Sequence, residues 1–106
     1  MVGLAGTVSA LASYDQDLAA YDRDRVHHYR LERRAVQRAL TDLLGVPAAE
    51  RAGRPGIEAA RAPYIVGGAV VLDEVMACFG FDECLVSEAD ILDGLVARLA
   101  ERDARL

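Results

Sequence analysis

The stretch Val2-Gly3-Leu4-Ala5-Gly6-Thr7-Val8-Ser9-Ala10 decides the fold. Val2 and Leu4 mark a short, buried strand at about 2–5. Gly6 permits a turn, and Thr7 is placed to cap a helix by accepting from the N–H of Ser9 or Ala10. Val8, Leu11 and Ala12 then share one face of a short helix predicted near 7–14. A Gly-x-x-Gly-Thr turn between strand and helix presents backbone N–H groups and the positive end of a helix dipole. That arrangement suits a phosphate oxygen. It is also an ordinary way to connect a strand to a helix, and the residues alone leave both readings open. An apolar element so close to Met1 reads like the middle of a fold.

Working outward, DQDLAAYDRDRVHHYRL alternates charge with aromatics and has no clean period, so it is read as loop with helical turns. From 32 to 44 the period is clear: Val36, Ala39, Leu40, Leu43 and Leu44 fall at helical spacing, with Arg34, Gln37, Arg38 and Thr41 opposite. Gly45 ends that helix, and Pro47 opens a short turn. RAGRPGIEAARAP is a breaker region, followed by a long helix predicted over 62–79. The first half of that helix is apolar nearly all round, so burial on several sides is expected. Its interior pair Gly67-Gly68 costs roughly 1 kcal/mol per glycine against Ala. Close packing against a backbone, or approach of a ligand, must recover that cost. ECLV is a second short strand at about 84–87, and Ser87 with Asp90 forms a capping box for a last helix near 89–104. Ile91, Leu92, Leu95, Val96 and Leu99 are its inward residues. The element order is α/β and mostly helical, yet two short strands make an incomplete sheet.

Composition bounds what the chain can be. Its 106 residues suffice for one domain with a single core and are too few for two. Apolar residues make up 53%, which excludes a disordered tail. The net charge is −5, and all 12 basic residues are Arg. An acidic surface repels nucleic acid and anionic lipid at long range, so neither is an expected partner, although a local Arg cluster can still hold phosphate. The two cysteines, Cys78 and Cys84, lack zinc or redox spacing and read as reduced thiols near the core. The longest apolar run, Ala62 to Leu72, falls well short of the ~20 residues that span a membrane. A cytoplasmic, membrane-free protein is the expectation.

Few side chains suggest chemistry. Asp15, Asp17, Asp22 and Asp24 with His27 and His28 hint at a metal site, but their spacing matches no known loop, and adjacent histidines should point different ways. A solvated acidic loop is the reading adopted. No serine sits in a nucleophile elbow, and Asp73-Glu74 fits a solvated helix face. Composition, spacing and period yield no catalytic group.

The order of GLAGTVSALA, AYDRDRVHHYRL, RAVQRAL, RAPYIVGGAVVLDEVM and FDECLVSEADILDGL resembles the exopolyphosphatase/guanosine pentaphosphate phosphatase (Ppx/GppA) family over nearly all 106 residues. The resemblance implies a partial actin-like (ribonuclease H-like) ATPase domain. It places the single segment 1–106 in the carboxy-terminal part of the second domain. It implies a hydrolase that, when complete, releases terminal phosphate from polyphosphate or guanosine pentaphosphate with magnesium. This segment would supply the second-domain wall of the cleft, with Gly6 and Thr7 as substrate-binding residues and no metal of its own. The family's glycine-rich phosphate loops and catalytic glutamate fall outside the match. The isolated chain is therefore expected to be inactive, and Met1 to mark a cut before the first strand. Two local departures are Pro63-Tyr64, where an acidic residue often follows Arg-Ala, and Glu32, where Ser or Thr often caps a helix. The competing reading is a non-catalytic truncated or split module that binds a missing domain or oligomerises.

Overall fold

A computed structural model describes residues 1–4, 6–88 and 96–102. Strand β1 (Val2–Leu4) leads to helix α1 (Gly6–Asp15), a short helix α2 (Arg23–Val26) and strand β2 (Arg30–Glu32). Helices α3 (Arg33–Leu44), α4 (Ala48–Arg51) and α5 (Ile65–Phe79) follow, then strand β3 (Glu83–Ser87). The sheet has the order β1-β3-β2. β1 runs parallel to β3 with Val2 opposite Leu85, and β2 runs antiparallel to it with Leu31 opposite Cys84.

The sheet therefore contains a third strand, β2, where the sequence pattern predicts loop. Only Leu31 of β2 is buried, with Arg30 and Glu32 exposed on either side, so three residues are too few to show a period of two. Gly3, Leu31, Cys84 and Val86 occupy the covered face of the sheet. α1 and α3 close over that face with Val8, Leu11, Val36 and Leu43. The other face carries Val2 and Leu4 in the open, 63% and 50% exposed.

α3 forms where the period placed it. Ala35, Val36, Ala39 and Leu43 are buried, Leu40 is partly buried, and Leu44 is exposed. Glu32 precedes it without a side-chain capping bond. α5 begins at Ile65, three residues later than predicted, because turns through Arg61 and Tyr64 occupy the stretch ahead of it. It buries Ile65, Ala69, Leu72 and Met76 against α3 and α1. Only this one side is covered among the described residues, contrary to the expected all-round burial: Val70, Val71, Val75 and Phe79 are exposed. Gly80, left-handed at φ 71°, ends the helix, and Phe81 N–H donates back to the Met76 carbonyl at 2.9 Å.

Cys84 is buried, and that burial raises its thiol above the ordinary value, whereas Cys78 is exposed and not near the core. The last predicted helix lies outside the described residues except for 96–102, which are helical. The inward Ile91, Leu92 and Leu95 and the capping Asp90 also lie outside them, while Val96 and Leu99 are exposed where burial was expected. Among the described residues, no helix is long and apolar enough to cross a membrane.

Candidate functional site

α1 begins at Gly6, one residue earlier than predicted, so Thr7 sits inside the first turn and not at its cap. The first amides of a helix lack intrahelical partners, so those at Gly6 and Thr7 bring a partial positive charge to this end. The Thr7 side chain turns away from the opening and lies over α5. A Cβ added to Gly68 would stand 2.5 Å from Thr7 Oγ1 and 2.8 Å from its Cγ2. One glycine of the interior pair thus exists to admit a threonine. Gly67 has open space around it among the described residues.

Gly6 faces a different neighbour. The guanidinium of Arg61 lies flat in the space that a Cβ on Gly6 would fill. Arg61 is carried there by the turn that feeds α5, in which its carbonyl accepts from Ile65 N–H at 3.0 Å. A second arginine, Arg54, arrives on the loop before Gly56. That glycine has φ +78° and rests directly on the backbone of α1, where its Cβ would stand 2.7 Å from the Ala10 carbonyl oxygen. Ile57, buried, anchors the same loop.

These pieces enclose an open cavity of about 670 Å³ lined by Gly6, Ser9, Arg54, Arg61, Tyr21 and Glu88 among others. Thr7 is not part of its lining. Among the described residues, neither Arg54 nor Arg61 is held in an ion pair. Glu88, the residue just after β3, lines the same cavity. Its carboxylate accepts from Ser9 Oγ on one oxygen and from Tyr21 Oη at 2.6 Å on the other. Desolvation and the bond to Glu88 push the Tyr21 phenol up to about 12, so it remains a donor at any ordinary pH.

The site is a helix start overlaid by a guanidinium, with one carboxylate at the rim. Two positive features placed edge to edge repel each other unless an anion or a carboxylate lies between them, so the arrangement is suited to holding a phosphate-like group. Sequence reading singled out Gly6 and Thr7 and did not include Arg54, Arg61, Tyr21 or Glu88, which line the same cavity as Gly6. The helix start showed in GLAGT, whereas the arginines reach it from 48 and 55 positions away along the chain.

Among the described residues, no three His, Cys, Asp or Glu side chains converge as a metal would require. Asp22 instead caps α2 by accepting from Asp24 N–H at 3.0 Å, and Asp15 accepts from Tyr29 Oη. His27 and His28, expected to point apart, stack with ring centroids 3.8 Å apart, because His28 takes a left-handed backbone at φ 65°.

No family model matches the chain. Exopolyphosphatase 2 of Mycobacterium tuberculosis is 36% identical over 103 residues, covering 93% of this chain and 32% of that protein. A bifunctional 3-dehydroquinate synthase/phosphatase of Fusobacterium nucleatum is 28% identical over 96 residues, which is 14% of its length. Among solved structures, the Aquifex aeolicus member of the Ppx/GppA family superposes with a TM-score of 0.89 at 25% identity, covering 96% of this chain and 34% of that one. A structure of an exopolyphosphatase-like protein gives a TM-score of 0.84 at 28% identity over 95% of this chain. The chain thus spans about a third of the length of the exopolyphosphatases it matches. Sequence and fold agree along nearly its whole extent, and the chain belongs to the Ppx/GppA family as part of an actin-like domain.

Proposed function

We propose that this chain forms the second-domain wall of the cleft in an exopolyphosphatase-like hydrolase, and that Gly6, Thr7 and Arg61 hold a phosphate group of polyphosphate or guanosine pentaphosphate there. The observation that carries the reading is the Arg61 guanidinium lying over Gly6 at the start of α1. Gly6 and Thr7 contribute backbone N–H groups, since the Thr7 side chain is committed to Gly68. Arg61 adds a fixed, planar, permanently charged donor, and Arg54 adds a second. A helix start alone is worth roughly 0.3–1 kcal/mol to an exposed anion. Millimolar affinity requires about 4 kcal/mol, so the arginines supply the larger part.

The role of this chain is binding and orientation. Magnesium, which the family resemblance implies for the complete enzyme, finds no group of three or more His, Cys, Asp or Glu side chains among the described residues. A cytoplasmic location belongs to the same proposal.

Titration with tripolyphosphate, followed by amide NMR, tests it. Shifts are expected at Gly6 through Ala10, with a dissociation constant in the millimolar range or weaker and a marked loss on adding salt. Arg61→Ala is expected to abolish them. Shifts clustered on Arg33, Arg34 and Arg38, or absent altogether, would mean that the turn is only a connection.

A further inference from the structure

Glu88 is held at the cavity rim by more than its carboxylate. Its backbone N–H donates to Nδ1 of His27 at 2.9 Å. A backbone amide has no choice but to donate, so Nδ1 must be a bare acceptor and the ring proton must sit on Nε2. His27 is half-buried at the end of α2 and is itself fixed by its N–H to the Arg23 carbonyl at 2.7 Å. The neighbouring turn is fixed as well, with His28 N–H donating to the Val86 carbonyl at 2.7 Å. The imidazole therefore joins α2 to the residue just after β3, and that residue lines the same cavity as Arg54 and Arg61.

We propose that His27 is a pH-sensitive pin that positions Glu88: the neutral imidazole holds the end of β3 in place, and protonation at Nδ1 releases it. A protonated Nδ1 presents an N–H to another N–H, so the bond is replaced by a repulsive contact. Imidazole is the side chain whose ordinary titration falls between pH 5 and 8. The charged and titratable groups on the elements meeting here are Asp22, Arg23, Asp24 and Arg25 around α2, Asp15 of α1, His28, Tyr21 and Glu88 itself. Tyr21 stays protonated throughout this range and so follows Glu88 without itself titrating.

The proposal rests on the phosphate reading only for its consequence. With His27 neutral, the Glu88 carboxylate shares the lining of the cavity with the arginines and disfavours an entering anion. Protonation adds a positive charge beside it and unfastens the Glu88 backbone, so anion binding should strengthen as pH falls.

A pH titration of the ligand-free chain between 5 and 8, followed by NMR, tests the pin directly. The Glu88 amide proton is expected to move upfield, and the Tyr21 ring signals to shift, with the midpoint of the His27 ring. In His27→Asn, whose Oδ1 can accept the same N–H without titrating, the Glu88 step should vanish. A Glu88 amide that does not move as His27 titrates, or a step that survives in His27→Asn, overturns the proposal. Sulfate, whose charge is constant over this range, then reports the consequence. If the Glu88 step occurs and sulfate does not bind, the phosphate reading fails and the pin stands. If sulfate binds without the step, the pin fails and the phosphate reading stands.

Discussion

Gly67 and Gly68 are neighbours in one helix under opposite constraints. Gly68 makes room for Thr7, whose Cβ is rooted in the backbone of α1 and cannot swing aside, so Gly68→Ala forces two helices apart. Overpacking of this kind costs about 1–3 kcal/mol, against a gain in helix propensity of about 1 kcal/mol. A net loss of stability is expected, read as a lower urea midpoint. Gly67→Ala meets nothing among the described residues and should raise the same midpoint, by about 0.5–1 kcal/mol. Tyr29 carries a second prediction at this scale. Burial, and the bond its hydroxyl donates to Asp15, push its phenol up to about 12, while in the unfolded chain it titrates near 10. The folded state thus holds the proton more tightly. The stabilisation is complete below pH 10 and is lost as pH rises from there through about 12. Tyr29→Phe should flatten the alkaline fall in stability over that window, with Tyr21 leaving a residual slope.

α3 and α5 show what a period can and cannot disclose. The spacing of Val36, Ala39 and Leu43 located α3 almost to the residue, because one face meets the core and the other meets water. α5 has apolar residues on both faces, so its pattern could not say which side is covered, and Ile65 proved buried while Val71 did not. β2 was invisible for another reason: its pairing with β3 joins residues more than fifty positions apart, and three residues hold no pattern of their own. The candidate site divides in the same way, with Gly6 legible in a local turn and Arg61 brought to it only by the tertiary fold. Between the helices, Arg33 Nε donates to Asp73 Oδ1 at 2.8 Å, and both side chains are largely covered, at 34% and 17% exposure. Replacing Arg33 with Met leaves Asp73 with a charge it cannot fully hydrate. A loss of roughly 1–3 kcal/mol is expected, with weak dependence on salt, whereas exposed pairs such as Arg34 with Glu32 should contribute little. Urea unfolding of Arg33→Met at low and high salt checks both statements.

At the scale of the whole molecule, two apolar surfaces lack cover among the described residues. One is the outer side of α5, with Val70, Val71, Val75 and Phe79, and the other is the open face of the sheet, with Val2 and Leu4. Monomeric proteins seldom leave contiguous apolar patches larger than a few hundred Å² exposed, because covering them releases about 25 cal/mol per Å². The net charge of −5 opposes self-association only weakly once salt screens it. The chain is therefore expected to form dimers or larger soluble species at high micromolar concentration. The two surfaces predict different remedies. If α5 is the contact, Val71→Glu places a charge in its middle and should return the protein to monomer. If β1 is the contact, it acts as an unpaired edge strand, and Val2→Lys should do so instead. Sedimentation velocity on the wild type and both variants decides between them. A wild-type chain that sediments as one species of monomer mass, and unfolds cooperatively, would show that these surfaces are tolerated in water and need no partner.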